Sequence, residues 1–128
     1  VISGGLAAAK LKKLKAAADG QLAEFGGRLS MRESVAIMAE LNLYIGVDTG
    51  PTLFAAALGI PSVTMFHCMR AGHLVVNPKR PENMTILDHP RSREFCSLDT
   101  AMGELPVDTV YQAACGRLYL KVENHCAV

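Results

Sequence analysis

The stretch LYIGVDTGPTLFAAALGIPSVTMF, residues 43–66, decides the fold of this chain. Its first part, Leu43–Val47, is a nearly continuous apolar run and predicts a strand buried on both faces of a parallel sheet. The turn residues Asp48–Pro51 interrupt this run, and the Ala-rich segment Leu53–Leu58 then predicts a short helix. Because Ile60–Phe66 is apolar again, the whole stretch predicts a strand, a turn, a helix and a second strand, which together form a parallel βαβ unit.

Four residues mark the two ends of the predicted helix. Thr49 is a favourable N-cap residue, and Pro51 suits the first helical turn because an N–H group would have no helical partner there. Gly59 suits the left-handed position that follows a helix C-terminus, and Pro61 prevents the helix from continuing. These signals predict a helix that begins directly after the end of the first strand.

The start of this helix has the chemistry of an anion-binding site. A helix that begins beyond the carboxyl end of a parallel strand directs N–H groups and a partial positive charge into the crevice above the sheet, where a phosphate fits. Gly50 has no side chain, so a ligand can approach its backbone closely, and Asp48 can accept hydrogen bonds from sugar hydroxyls. The same pattern also fits a purely structural crossover, so the residues alone leave both interpretations open.

Length and composition restrict the class of protein. The 128 residues predict one domain, over residues 1–128, and half of them are apolar, which is enough for a core. The 13 basic and 12 acidic residues nearly cancel, so we expect no nucleic-acid partner. No apolar run reaches the ~18 residues that span a bilayer, and no signal peptide is visible, so we expect a cytoplasmic protein.

The cysteines and histidines do not predict a metal site. The four cysteines contain no CxxC pair, and without a secretory signal we expect reduced thiols at all of them: Cys68, Cys96, Cys115 and Cys126. His67 and His73 lie near Cys68 in the sequence, but their spacing matches no zinc site. We therefore expect no bound metal.

The rest of the chain predicts further helices and strands around the βαβ unit. In chain order these are a helix over Leu6–Asp19, a short strand over Leu22–Phe25, a helix after Ser30, a last strand over Met84–Leu87 and a final helix after Pro106. Ser30 and Glu33 have the spacing of a capping box, in which each side chain accepts a hydrogen bond from the backbone N–H of the other residue.

Residues 48–61, DTGPTLFAAALGIP, resemble the signature of glycosyltransferase family 9, the heptosyltransferases that build the inner core of lipopolysaccharide. The family usually carries Asp-Thr/Ser-Gly-Pro-Met-His-Leu-Ala-Ala-Ala-Leu-Gly-x-Pro. The matching residues, in register, are Asp48, Thr49, Gly50, Pro51, Ala55, Ala56, Ala57, Leu58, Gly59 and Pro61. Thr52 and Leu53 depart from the pattern, since they stand where the family usually has Met and His.

The resemblance implies a fold and a set of site residues. The fold is α/β and Rossmann-like, with a mostly parallel sheet flanked by helices, and it corresponds to the C-terminal, donor-binding half of a GT-B arrangement. The implied contacts to the phosphates and sugar of the donor are Asp48, Thr49, Gly50 and Pro51. The resemblance also makes Leu29 and Ser30 expected neighbours of the donor's base. Apart from the resemblance, we expect Thr52 and His67 as further base-pocket or cleft residues, His67 because it lies at the carboxyl end of its predicted strand. An ordinary helix entry at Leu29 and Ser30 explains those two residues equally well.

The resemblance also implies a reaction. A sugar, expected to be a heptose, would pass from a nucleotide diphosphate, expected to be ADP-linked, to an acceptor of the lipopolysaccharide-core type. The nucleotide sugar is then a substrate, and no cofactor is expected. The catalytic base and the acceptor site belong to the N-terminal domain of the family, so we expect no catalytic residue here and no activity of the chain alone. The full-length enzyme would associate peripherally with the inner face of the inner membrane.

Two alternatives to a transferase domain remain open at this stage. One is a non-catalytic module that binds a nucleotide sugar or phosphate, which is favoured by Leu53 in place of the family's His and by the absence of the family's acidic residue and N-terminal half. The other is a degenerate domain kept for assembly. The resemblance further predicts that the first βα unit of the domain is missing, and that either Val1–Ser3 or a second copy of the chain, in a homodimer, pairs with the Leu43–Val47 strand.

Overall fold

The computed structural model describes residues 8–19, 21–67, 82–91 and 102–125. Its helices are α1 (Ala8–Ala17), α2 (Met31–Ala39), α3 (Gly50–Ala57) and α4 (Val107–His125), its strands are β1 (Tyr44–Val47), β2 (Ser62–Phe66) and β3 (Met84–Asp88), and a 3₁₀ turn covers Met102–Glu104. The chain divides into two compact units, Val1–Ile37 and Met38–Val128. Whether residues 1–128 form one domain stays a prediction.

In the first unit, α1 lies within the predicted helix Leu6–Asp19. The predicted strand over Leu22–Phe25 is wrong, because it reduces to an isolated bridge residue at Glu24. The Glu24 carboxylate accepts hydrogen bonds from the Gly26 N–H, at 3.1 Å, and from the Arg28 guanidinium, at 2.9 Å. These local bonds favour a turn over continued extension of the chain.

The capping box is confirmed at the start of α2. The Ser30 N–H donates to the Glu33 carboxylate at 2.8 Å, and the Glu33 N–H donates to the Ser30 hydroxyl at 3.3 Å. The Ser30 hydroxyl also donates to that carboxylate, at 2.6 Å. These bonds favour the ionised carboxylate, so hydrogen bonds from Ser30 hold the pKa of Glu33 below its usual value.

The second unit contains a parallel three-stranded sheet in the order β1-β2-β3. Tyr44 lies opposite Ser62 in the first pair, and Ser62 lies opposite Met84 in the second pair. Helix α3 packs on β1 and β2, and α4 packs on β2 and β3. Parallel strands flanked by helices confirm the predicted α/β, Rossmann-like fold class.

Helix α3 ends as predicted from Gly59. That residue has a φ of 70°, in the left-handed region that favours glycine. The Gly59 N–H donates to the Ala56 carbonyl at 3.2 Å, and the Ile60 N–H donates to the Ala55 carbonyl at 3.0 Å. This pair of bonds is a Schellman motif, which satisfies the last carbonyl groups of the helix and turns the chain toward β2.

Side chains on the two faces of the sheet meet different helices. Tyr44 and Thr64 share the face next to α3, where Thr52 of that helix lies within hydrogen-bonding distance of Tyr44. On the opposite face, Arg117 of α4 donates to the Thr85 hydroxyl at 2.7 Å and to the Glu82 carbonyl at 2.6 Å. A small apolar core lies on the α3 side and consists of Met38, Ala55 and Ile60, surrounded by Leu41, Tyr44 and Phe54.

The prediction that β1 is buried on both faces is wrong. Ile45 and Val47 are 49% and 43% exposed. They point to the face that α4 covers, but α4 packs on β2 and β3, so these two side chains are only partly covered. The predicted pairing of Val1–Ser3 with this strand lies outside the described residues.

The central strand β2 carries two buried hydroxyls with opposite hydrogen-bonding states. Ser62 donates to the Ile60 carbonyl at 2.6 Å, whereas the Thr64 hydroxyl has no hydrogen-bond partner among the described residues. Both side chains are fully buried. Burial removes the hydrogen bonds that each hydroxyl makes to water in the unfolded chain, so the Thr64 hydroxyl opposes folding.

Replacing the Thr64 hydroxyl should therefore stabilise the protein. Thr64→Val keeps the shape of the side chain, and we expect it to raise the free energy of unfolding by about 1 kcal/mol. Ser62→Ala is the matched control and should lower that free energy by about 1 kcal/mol, because it removes a bond that is made. The midpoint of urea unfolding at unchanged slope measures both effects. Equal losses in the two variants would contradict this assignment.

The ring of Tyr44 lies directly over Gly46, so that a side-chain Cβ at position 46 would collide with the ring and its hydroxyl. We expect Gly46→Ala to lower the free energy of unfolding by about 1–3 kcal/mol, since the ring must leave its place. In a Tyr44→Ala background the same substitution should cost nothing, because Ala is the better strand residue once the space is open. Urea unfolding of the double-mutant cycle measures this coupling, and additive costs would refute it.

Candidate functional site

The carboxyl edge of the sheet brings together residues that are distant in the sequence. Asp48 directly follows β1, His67 directly follows β2, and His89 directly follows β3. All three strands are parallel, so their carboxyl ends lie on the same edge. In open α/β sheets this edge is the usual place for a ligand.

The turn after β1 begins α3 where the sequence predicted it. Thr49 occupies the N-cap position with extended backbone angles, φ −147° and ψ 172°. Its side chain does not cap the helix; the hydroxyl donates instead to the Val47 carbonyl, at 3.3 Å. The predicted N-cap position is confirmed, whereas the expected capping hydrogen bond is not formed.

The same carbonyl accepts a second and shorter hydrogen bond. The Thr52 hydroxyl donates to the Val47 oxygen at 2.6 Å, and the Tyr44 hydroxyl lies 3.1 Å from the Thr52 oxygen. Because Thr52 has only one hydroxyl proton and gives it to Val47, Tyr44 is the donor in the second bond. Thr52 is fully buried, so the structure places this predicted cleft residue in the interior, where it holds the turn.

The first turn of α3 leaves two backbone amides for a ligand. Four N–H groups at a helix start lack intrahelical partners, here those of residues 49–52. Pro51 has no N–H, and the Thr52 N–H donates to the Thr49 carbonyl at 3.0 Å. The amides of Thr49 and Gly50 remain, and neither has a hydrogen-bond acceptor among the described residues.

The space around these amides is open. A Cβ built on Gly50 would meet no atom of the described residues within 4 Å, apart from its chain neighbours and the backbone of its own helix. Leu53, one turn further along α3, is 45% exposed and does not cover Gly50. Nothing among the described residues therefore blocks the approach of a ligand to the start of the helix.

Asp48 lies beside these amides and is partly buried. Desolvation disfavours the charged carboxylate, so burial raises the pKa of Asp48 above its usual value. A carboxylate in this position can accept hydrogen bonds from hydroxyl groups of a ligand. Its partial desolvation makes such bonds stronger than they would be in water.

The structure adds His89 to the site, which sequence reasoning missed. The His67 and His89 rings lie 5.3 Å apart between centroids and are tilted by 54°. His67 is partly exposed, whereas His89 is 1% exposed. The signal for His89 was its position directly after a predicted strand. That position does not show that His89 lies beside His67, because this depends on the order of the strands in the sheet.

Two predicted residues belong to the other compact unit. Leu29 is partly buried, and Ser30 is exposed with its hydroxyl bonded to Glu33. The second unit contains Asp48, Thr49, Gly50, Pro51, Thr52 and His67. The base-pocket role of Leu29 and Ser30 therefore stays a prediction.

Metal-ligand clusters and membrane-spanning helices are absent from the described part of the chain. There, no cluster of three or more His, Cys, Asp or Glu side chains is arranged to hold a metal ion. The described helices are also too short or too polar to cross a membrane. The thiol of Cys115 is free.

A family of known proteins matches most of this chain. Residues 1–99 match the family model described as glycosyltransferase family 9 (heptosyltransferase), which covers more than half of the chain. Comparison with curated proteins and with solved structures returned no significant match. The family match includes β1, the Asp48–Pro51 turn, α3, β2 and β3, and it shows that this chain belongs to glycosyltransferase family 9.

Proposed function

We propose that this chain binds the donor in a sugar-transfer reaction. The donor is a nucleotide diphosphate sugar, an ADP-linked heptose, and the acceptor is a hydroxyl of the lipopolysaccharide-core type. The observation that supports this proposal is the open start of α3, where the amides of Thr49 and Gly50 lie beside Asp48 on the carboxyl edge. Family membership supports glycosyl transfer as the reaction.

The two amides act on the leaving group. In the transfer, the acceptor hydroxyl gives its proton to a general base and its oxygen forms a bond to the anomeric carbon, while the bond from that carbon to the diphosphate oxygen breaks. Negative charge then develops on the diphosphate. Hydrogen bonds from the Thr49 and Gly50 N–H groups stabilise this charge, and the α3 dipole adds about 0.3–1 kcal/mol. Because the Val47 carbonyl is already bonded to Thr49 and Thr52, the turn needs no rearrangement to present these amides.

Asp48 orients the sugar. Its carboxylate accepts hydrogen bonds from sugar hydroxyls and so fixes the anomeric carbon relative to the diphosphate site. Pro51 supports the same geometry, because its ring restricts φ in the first helical turn. The sugar is held by side-chain oxygens and the diphosphate by backbone nitrogens.

We assign acceptor binding and proton removal to a different domain of the enzyme. The acceptor site and the general base belong to the N-terminal domain of the GT-B arrangement, so the 128-residue chain binds donor but does not turn it over. The nucleotide sugar is a substrate, and the proposed chemistry requires no cofactor or metal. The complete enzyme works in the cytoplasm, at the inner face of the inner membrane, where its acceptor is available.

A non-catalytic nucleotide-sugar or phosphate-binding module is the second candidate. It is favoured by Leu53, which presents an apolar side chain to solvent where the family usually carries His. Such a module would use the same amides and Asp48. Adding an N-terminal acceptor domain of the family to this chain separates the two candidates, because only a transferase would then form product.

Donor binding should depend on the open space at Gly50. Gly50→Ala should fold, because the new methyl group meets nothing, but it should weaken ADP binding by about tenfold by keeping the phosphate away from the amide. Gly116→Ala on α4 is the matched control, since its methyl group also meets nothing, and it should bind ADP as the wild type does. Calorimetric titration with ADP, UDP and GDP measures these affinities.

The proposal fails if wild-type protein binds none of the three nucleotides, or if Gly50→Ala binds ADP as tightly as Gly116→Ala. Product formation by the isolated chain with a donor and an acceptor sugar would separately contradict the assignment of the base to another domain.

The Asp48 carboxylate should lower the stability of the ligand-free protein. Its pKa is higher in the folded than in the unfolded chain, so stability falls as the pH rises through the interval between the two values. Asp48→Asn should therefore raise the melting temperature at pH 7, and this gain should vanish below about pH 4. Asp108→Asn is the control, and it should lower the melting temperature at pH 7, because a carboxylate in the first turn of α4 favours the helix. A lower melting temperature of Asp48→Asn at pH 7 would contradict this account.

A further inference from the structure

His89 is held from two sides at the end of β3. Its backbone N–H donates to the Phe66 carbonyl of β2 at 2.9 Å, and its ring Nδ1 accepts a hydrogen bond from the Arg91 N–H at 3.1 Å. An accepting Nδ1 carries no proton, so the neutral ring carries its proton on Nε2. The ring is almost fully buried, and its orientation and tautomer are both fixed.

A further contact holds Arg91, the residue that positions this ring. The Arg91 guanidinium forms an ion pair with Glu104 of the 3₁₀ turn, at 2.8 Å. Both side chains are partly solvated, so this pair contributes little to global stability. Its effect is local, because it restrains the segment whose N–H group fixes the His89 ring.

His67 lies against this fixed ring at the edge where the donor is proposed to bind. Val47 of β1 lies opposite Met65 of β2. Thr49 comes two residues after Val47, and His67 comes two residues after Met65. The two residues therefore leave the sheet at the same level on neighbouring strands. His67 is partly exposed, and its contact with the buried His89 ring limits the positions that its own ring can take.

We propose that His67 donates a ring N–H to the diphosphate of the donor, and that His89 is the positioning residue that holds His67 for this role. This inference rests on the proposed function. A diphosphate carries more oxygen atoms than the Thr49 and Gly50 amides can satisfy, and α3 supplies an apolar side chain, Leu53, in its second turn. A ring N–H from the adjacent strand end supplies a further donor without any change in the helix.

The first test separates the N–H group of His67 from its ring. His67→Phe keeps an aromatic ring against His89 but has no donor, and we expect it to bind inorganic pyrophosphate and ADP about tenfold more weakly than wild type. His67→Gln keeps an N–H donor and should recover most of this loss. The affinity for adenosine should be equal in all three proteins, because adenosine has no phosphate.

The second test addresses His89. His89→Asn keeps an acceptor near the position of Nδ1 for the Arg91 N–H but removes the ring that contacts His67. We expect its pyrophosphate affinity to fall about three- to tenfold. A merely structural role would lower the melting temperature and leave the affinity of the folded protein unchanged. If this variant does not fold, the test is made on wild type by NMR. The ring-nitrogen resonances of His67 should then shift on saturation with pyrophosphate.

The outcomes distinguish this inference from the proposed function. The role of His67 is refuted if wild type binds ADP and pyrophosphate and His67→Phe binds them equally well. It is also refuted if the His67 resonances do not move on saturation with pyrophosphate. In both cases Gly50→Ala still tests the donor site. If His67→Phe weakens adenosine as much as ADP, the contact is not to phosphate and the inference also fails. If wild type binds neither ADP nor pyrophosphate, both proposals fail together.

Discussion

The carbonyl oxygen of Val47 is the point on which the site depends. It is the last carbonyl of β1, and the hydroxyls of Thr49 and Thr52 both donate to it. A hydrogen bond of this kind contributes about 1 kcal/mol, and the bond from Tyr44 to Thr52 connects the same point to the strand itself. These bonds fix where the chain leaves the sheet and where α3 begins. Because both hydroxyls bond to a carbonyl of the strand, neither one blocks the Gly50 amide.

The packing behind this turn depends on Gly46. The Tyr44 ring can reach Thr52 only by passing over a residue without a side chain, and Gly46 provides that space. Position 46 therefore contributes to the site without facing a ligand. The Tyr44 ring and the buried Thr52 hold the start of α3, and the Schellman motif at Gly59 holds its end.

The sequence predicted the parts of this fold that depend on local chemistry. Pro51 and Gly59 have preferred places at helix ends, so the bounds of α3 followed from them. Burial of β1 did not follow, because an apolar run does not show whether a helix covers each face of that strand. Thr49 has two local partners of similar energy, a helix N–H and the Val47 carbonyl, and sequence alone does not choose between them. The position of His89 beside His67 requires the order of strands, which tertiary packing decides.

The two departures from the family signature have separate physical consequences. Thr52 replaces Met with a fully buried side chain whose hydroxyl donates to Val47 and accepts from Tyr44, so this change stabilises the turn from the inside and leaves its outer surface unaltered. Leu53 replaces His with an exposed apolar side chain, so this change acts on the solvent-facing side of the helix and removes a hydrogen-bond donor there. Another group at the same edge of the sheet can offset the loss of that donor. The ends of β2 and β3 meet there, and they bring His67 and His89 together.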